Sequence, residues 1–159
     1  MTDGFTHIDE SGAARMVDVS AKAVTVRTAT ATGRVLVSAE VVALLRAGGV
    51  PKGDAIAVAR IAGIQAAKRT PDLVPLCHPI AVHGVDVALQ VDDHAVAISA
   101  TVRTADRTGV EMEALTCVVV AGLALIDMVK AVDPSATITD VRVERKTGGS
   151  SGDWRRGDA

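Results

Sequence analysis

Charged side chains that could transfer protons stand at both ends of a long apolar segment, residues 109–134. Glu111 and Glu113 open the segment, and Asp127 and Lys130 close it after thirteen uncharged residues. A helix would place the two acids at its N-terminus, where the helix dipole favours negative charge, and would put Asp127 beside Lys130 on one face. These groups could perform acid–base chemistry. Alternatively, they form only an acidic first turn and an ion pair.

The length of this predicted helix limits what its two ends can do together. At a rise of ~1.5 Å per residue, Glu113 and Asp127 would lie ~21 Å apart. One small ligand group could not touch both carboxylates within one chain. Either the two ends contact different parts of a long ligand, or a neighbouring subunit completes the site.

Three further polar positions could contribute to a site, and each has a simpler explanation. Lys52 precedes a predicted helix N-terminus, where it is either solvated or part of an anion site. His78 lies between two prolines in the loop TPDLVPLCHP, which favours a positioned imidazole that acts as a donor or general acid. The adjacent Cys77 does not suit a zinc site, because adjacent Cys and His rarely chelate one ion and no second pair exists. It does not suit a nucleophile pair with His78 either, because neighbouring side chains point apart. Lys146 begins the Gly-rich segment KTGGSSG, which is either a phosphate-binding loop or a floppy tail.

Taken together, these residues predict a ligand class but no particular substrate. The basic side chains suit a polyanionic ligand: Arg27, Lys52, Lys130 and Lys146. The acids and His78 suit proton transfer. The sequence offers no evident nucleophile and no metal-ligand set. It therefore indicates acid–base chemistry on a phosphate-bearing small molecule, at an interface between subunits if one chain cannot complete the site.

Composition narrows the class of protein further. The chain has 159 residues, 48% hydrophobic and 23% charged, as expected of one soluble globular domain. A net charge of −2 and 1% aromatic residues argue against nucleic acid and anionic membranes as partners. A core of small aliphatic residues favours oligomerisation. Cys77 and Cys117 give no disulfide framework, and the polar N-terminus does not resemble a signal peptide, so we expect a cytoplasmic protein. The apolar run 114–126 is too short to span a bilayer.

The chain order predicts one α+β domain. We expect a flexible arm over 1–15, a single domain over 16–152 and a flexible tail over 153–159. Within the domain, 23–37 is either one strand or a short hairpin turning at Thr32-Gly33. Two capped helices follow, then an irregular loop over 70–79, a hairpin at 85–102, the long helix and a last strand at 138–145. This order is typical of the ferredoxin-like (split βαβ) fold, with helices packed on one face of an antiparallel sheet.

The sequence closely resembles the cyclic pyranopterin monophosphate synthase family, MoaC, of molybdenum-cofactor biosynthesis. The resemblance rests on MVDVSAK (16–22), KGDAIAVARIAGIQAAKRTPDLVPLCHPI (52–80), TGVEMEALTCVVVAGLALIDMVKAVD (108–133) and KTGGSSG (146–152). It implies a ferredoxin-like hexamer, a trimer of dimers, with active sites between subunits. The implied reaction converts (8S)-3′,8-cyclo-7,8-dihydroguanosine 5′-triphosphate to cyclic pyranopterin monophosphate with release of diphosphate. The family's chemistry involves no metal or redox cofactor.

The resemblance also assigns roles to particular residues. It implies that Asp127 and Lys130 form an acid–base pair and that Lys52 is a catalytic lysine. The implied substrate contacts are Leu76, Cys77, His78, Glu111, Met112, Glu113, Lys146 and, by a weaker match, Arg27. Two rival functions remain open: a nucleotide-binding module without catalysis, and a metal-dependent nucleotide phosphohydrolase.

Overall fold

Residues 7–9 and 11–157 are described by a computed structural model, and within them an antiparallel sheet carries helices on one face. The helices and strands, in chain order, are β1 (Thr25–Leu36), α1 (Ala39–Ala47), α2 (Ala55–Ala67), α3 (Thr70–Leu73), β2 (Gly84–Val91), β3 (Ala95–Asp106), α4 (Glu111–Val129), β4 (Thr137–Thr147) and β5 (Trp154–Arg155). The strand order across the sheet is β2-β3-β1-β4-β5. The predicted ferredoxin-like α+β fold is confirmed.

The central strand β1 is continuous, so the single-strand alternative is correct and the hairpin alternative is wrong. It pairs antiparallel with β3 on one side and with β4 on the other. Gly33, the turn residue of the hairpin alternative, lies inside this strand. A Cβ atom at Gly33 would lie 2.7 Å from Val118 Cγ1 of α4 and 3.2 Å from Val141 Cγ2 of β4. Glycine is therefore needed for close packing, and the pairing with β4 shifts register beside it.

The helix ends follow the predicted capping residues. Ser38 accepts a hydrogen bond from Val41 N at the start of α1, and Gly48 ends that helix in the left-handed conformation, with φ 67°. Asp54 accepts from Ala57 N at the start of α2. The loop predicted over 70–79 is only partly correct, because α3 occupies its beginning. Pro71 lies in the first turn of α3, where a missing N–H costs little.

The long helix α4 packs on β1, β3 and β4 and contacts α2 along its length. Its buried face includes Ala114, Cys117, Val118, Ala121 and Leu125. Among the described residues it is the one helix long and apolar enough to cross a membrane, with a mean hydropathy of 2.0. The apolar run 114–126 is only the middle of this helix and by itself is shorter than a bilayer-spanning helix. Half of the 18-residue apolar stretch of α4 is buried inside the protein, as in a core helix.

Both ends of the chain contain pairing that the sequence did not predict. At the N-terminus, an isolated bridge joins Ile8 to Ala14, while residues 1–6 and 10 of the predicted arm lie outside the described residues. At the C-terminus, β5 lies in the stretch that we expected to be a flexible tail. Its two residues pair with Arg145 and Lys146 of β4. Residues 158 and 159 lie outside the described part.

Candidate functional site

The C-terminal end of α4 carries a compact group of three charges. Lys130 Nζ lies 2.7 Å from Asp127 Oδ1, and Lys52 Nζ lies 2.9 Å from Asp127 Oδ2. Lys52 Nζ also donates a hydrogen bond to the Asp127 carbonyl oxygen at 2.8 Å. Residue types alone placed Lys52 beside the N-terminus of α2, but its ammonium group binds the end of α4. All three side chains are half-exposed, so a ligand could reach them.

The two lysines determine the charge of Asp127. Hydrogen bonds from Lys130 and then Lys52, together with their positive charges, lower the pKa of Asp127 to about 2. The carboxylate is therefore ionised throughout the neutral range. The ion pair expected between Asp127 and Lys130 is present. In this arrangement Asp127 can accept a proton, or it can hold the two ammonium groups in fixed positions.

The N-terminal end of α4 borders a cavity of about 390 Å³, which we call the mixed cavity. It collects six of the predicted substrate contacts from two distant segments of the chain: Leu76, Cys77, His78, Glu111, Met112 and Glu113. His78 Nε2 lies 2.7 Å from the Val17 carbonyl oxygen. Because a carbonyl oxygen can only accept, Nε2 carries the hydrogen, and this bond fixes the imidazole ring.

Glu113 is the deepest ionisable group of the mixed cavity, with only 3% of its surface exposed. Burial, and to a smaller extent the charge of Glu111, raises the pKa of Glu113 to about 7. Burial and then the charge of Glu113 also raise the pKa of Cys77. The Cys77 thiol therefore stays protonated, which agrees with our rejection of a nucleophilic cysteine. The mixed cavity thus offers a carboxyl group that changes protonation near neutral pH.

A second cavity of about 250 Å³ adjoins the first, and we call it the basic cavity. Its cations are Lys22, Arg27 and Lys146, and its hydroxyl groups are those of Thr28, Thr108, Thr147, Ser150 and Ser151. The two cavities share Lys22, Thr108, Gly109 and Glu111 along their common border. Lys146 Nζ lies 3.1 Å from Glu111 Oε1, and Arg27 Nε donates to the Asp106 carbonyl oxygen. Cations and hydroxyl groups so arranged suit phosphate oxygens.

Residue reasoning missed several groups that line the cavities. They are His7, Lys22 and Thr108. Lys22 lies in one of the family-like segments, but no spacing rule connects it to Glu111, 89 positions later. Within the described residues, no three His, Cys, Asp or Glu side chains come together in an arrangement that could hold a metal ion.

The structure therefore divides the predicted site residues into two groups. Arg27 and Lys146 join the six residues of the mixed cavity at one end of α4. Lys52, Asp127 and Lys130 lie at the other end, fourteen residues along the helix from Glu113, which corresponds to ~21 Å. A single chain thus holds the two cavities at one end of α4 and the cluster of Lys52, Asp127 and Lys130 at the other.

The adjoining mixed and basic cavities of this ferredoxin-like domain suit an anionic small molecule. The chain belongs to the MoaC family, whose sequence model matches residues 16–149. It is 72% identical over 154 residues to the cyclic pyranopterin monophosphate synthase of Streptomyces coelicolor, covering 97% of this chain and 91% of the relative. It is 70% identical over 155 residues to the protein of the same name in a Nocardioides species, and the alignment covers 96% of this chain and 95% of that relative. The protein of that name in Parvibaculum lavamentivorans is 58% identical over 153 residues, and the alignment covers 95% of this chain and 96% of that relative.

Proposed function

We propose that this protein is a cyclic pyranopterin monophosphate synthase of molybdenum-cofactor biosynthesis. Its substrate is (8S)-3′,8-cyclo-7,8-dihydroguanosine 5′-triphosphate, and its products are cyclic pyranopterin monophosphate and diphosphate. The observation that carries this proposal is the meeting of Leu76–His78 and Glu111–Glu113 in one cavity beside a basic one. The shared name of relatives that align over nearly the whole chain supports it.

The two cavities suit the two parts of such a substrate. The basic cavity, with Lys22, Arg27 and Lys146, is suited to the triphosphate and to the charge that develops on the departing diphosphate. The mixed cavity, with His78 and Glu113, is suited to the ring system, whose nitrogens and carbonyl oxygen require hydrogen-bonding partners. Metal and redox cofactors have no step in the proposed reaction.

We propose that Asp127, Lys130 and Lys52 carry out the acid–base steps. The ionised Asp127 carboxylate can accept a proton, and the lysine ammonium groups can donate hydrogen bonds to oxygen atoms that gain charge. These three residues must approach a substrate that is bound at the opposite end of α4. That separation supports a site assembled from two copies of the chain.

We therefore propose a homo-oligomer, a hexamer built as a trimer of dimers, with active sites between subunits. Exposed apolar side chains on the helices support this assembly, because water-exposed apolar patches are typical of interaction surfaces. They include Val58 and Ile61 of α2 and Val119 and Leu123 of α4. We also propose a cytoplasmic location, which the free thiols of Cys77 and Cys117 support, because disulfides are rare in the cytosol.

The test is diphosphate release by the purified protein from the cyclised GTP substrate, with EDTA present. We expect diphosphate together with a product that oxidises to a fluorescent pterin. Binding of the substrate without product would indicate a nucleotide-binding module instead. Consumption of ordinary GTP, and loss of activity in EDTA, would indicate a metal-dependent phosphohydrolase.

A further inference from the structure

A glycine-rich loop, residues 148–152, forms one wall of the basic cavity between β4 and β5. Gly148, Gly149 and Gly152 have φ values of 84°, 79° and 68°, a region that favours glycine. The loop lies directly against β1, since a Cβ atom at Gly148 would meet the Val26 carbonyl oxygen and one at Gly149 would meet the Arg27 guanidinium. The path of this backbone is therefore closely defined by its neighbours.

The residues that follow the loop fasten it to β4, and we call residues 153–156 the C-terminal clasp. Asp153 Oδ1 accepts a hydrogen bond of 3.0 Å from Gly148 N, which closes the loop across its base. Trp154 pairs with Lys146 in the sheet. Arg156 N donates to the Glu144 carbonyl oxygen at 2.8 Å, and its Nε donates to the Val143 carbonyl oxygen at 2.9 Å.

A further contact stiffens the clasp itself. The Arg156 guanidinium lies 5.6 Å from the centre of the Trp154 ring, within the range of a cation–π interaction. A two-residue strand such as β5 has little stability of its own. The side-chain contacts of Asp153 and Arg156 therefore account for its position along β4.

The clasp determines what the loop presents to the basic cavity. Ser151 Oγ accepts a hydrogen bond of 3.2 Å from Lys146 Nζ, and the same ammonium group pairs with Glu111 Oε1. Ser150 also lines the cavity. If the base of the loop opened, Ser150 and Ser151 would lose their fixed positions. A ligand would then bind more weakly, because ordering these residues on binding costs conformational entropy.

We propose that Asp153 and Arg156 are positioning residues that keep the glycine-rich loop ordered as a preformed wall for the phosphate groups of the substrate. Neither residue needs to touch the reacting atoms. The identity of the ligand as a nucleoside triphosphate derivative rests on the proposed function, whereas the contacts of the clasp do not depend on it.

The test compares Asp153→Ala with Asp153→Asn, which keeps a side-chain oxygen that can accept from Gly148 N. We expect Asp153→Ala to raise KM about tenfold with kcat changed less than about twofold, because the lost interaction serves binding and not the chemical step. Asp153→Asn should restore KM to near the wild-type value. Arg156→Ala should raise KM in the same direction, by a smaller factor. Asp93→Ala, which changes an exposed carboxylate paired with Arg46, is the matched control and should have no effect.

Two measurements do not depend on turnover. The affinity for inorganic triphosphate, measured by calorimetry, should fall about tenfold in Asp153→Ala and recover in Asp153→Asn. Amide hydrogen exchange of Gly148 should become faster in Asp153→Ala. Unchanged KM and triphosphate affinity, or a fall in kcat with KM unchanged, would overturn the proposal. A wild-type protein that binds triphosphate but forms no cyclic product would overturn the proposed function alone.

Discussion

The Lys52 ammonium group binds Asp127 at two points. It lies 2.9 Å from the side-chain oxygen Oδ2 and 2.8 Å from the main-chain carbonyl oxygen of that residue. The two residues are 75 positions apart in sequence, and the contact joins the loop before α2 to the end of α4. Lys130 holds the second oxygen of the same carboxylate. Loss of the Asp127 carboxylate would therefore remove a partner of both ammonium groups at once, and Lys52 would keep only its bond to the main-chain oxygen.

Replacement of Asp127 by Asn should remove turnover while leaving the substrate bound. We expect kcat to fall by about 10² to 10⁴, the usual contribution of a positioned acid or base, with substrate affinity within about tenfold of the wild type. Steady-state kinetics and calorimetry with the cyclised GTP substrate would measure the two effects. Asp93→Asn is a control at an exposed ion pair. A wild-type rate in Asp127→Asn would remove this residue from the mechanism.

Mixing inactive variants should show whether the two halves of the site come from different subunits. Asp127→Asn and Glu113→Ala alter opposite ends of α4, so a mixed dimer would contain one intact site. After subunit exchange of equal amounts, we expect recovery of up to about a quarter of the wild-type activity. Lys52→Ala mixed with Asp127→Asn is the matched control and should recover nothing, because both residues lie in one cluster. If the first mixture also stayed inactive despite proven exchange, one chain would have to supply the whole site.

Glu113 should make the stability of the protein depend on pH. Its pKa is raised from 4.5 to about 7 in the folded state, so the unfolded chain loses this proton at lower pH than the folded one. The ionised Glu113 carboxylate is disfavoured in the folded protein and therefore destabilises it. This destabilisation is absent below about pH 4, grows between pH 4.5 and 7, and is constant above that. We expect Glu113→Gln to stabilise the protein by roughly 2 to 3 kcal/mol at pH 8 and hardly at all at pH 4.

Urea denaturation at both pH values would measure this difference. The control is Glu40→Gln, at an exposed position in the first turn of α1. An equal effect of Glu113→Gln at pH 4 and pH 8 would show that the Glu113 carboxyl is not perturbed by burial.

Gly63 should be intolerant of a side chain although it lies within a helix. A Cβ atom there would lie 2.9 Å from the Cys117 carbonyl oxygen and 3.1 Å from the Ala121 Cβ, both in α4. We expect Gly63→Ala to lower the free energy of unfolding by about 1 to 3 kcal/mol, because overpacking outweighs the gain in helix propensity. Chemical denaturation would measure it, with Gln65→Ala on the exposed side of α2 as control. A stabilised Gly63→Ala protein would show that α2 and α4 can separate at little cost.

The fold was predictable because periodicity and capping residues report local structure directly. Ser38, Gly48 and Asp54 marked helix ends correctly, and the alternation in 85–102 marked the hairpin. Gly33 was ambiguous, because a strand glycine and a turn glycine look alike until Val118 is seen packed against it. The strand β5 was not predictable, since a two-residue pairing leaves no period to detect.

The site was predictable in part, and for a different reason. Six residues that line the mixed cavity had been predicted as substrate contacts, but that they share one cavity depends on the packing of the 76–78 loop against the start of α4. Lys52 illustrates the limit of local reasoning, because its nearest helix in sequence is α2 while its partner lies on α4. Likewise, only the structure identifies Lys22 as a candidate binding residue, because it lines both cavities where they adjoin.

Because Glu113 and Asp127 lie on the same helix, the number of residues between them matters for function. It fixes how far Glu113 stands from Asp127 and at what angle each projects. One residue inserted between them would turn Asp127 by about 100° around the helix axis and move it ~1.5 Å along it. We expect side chains of similar size to replace those between the two positions at a small cost in stability. Their number cannot change, and a single insertion or deletion in this helix should inactivate the protein more surely than most substitutions there.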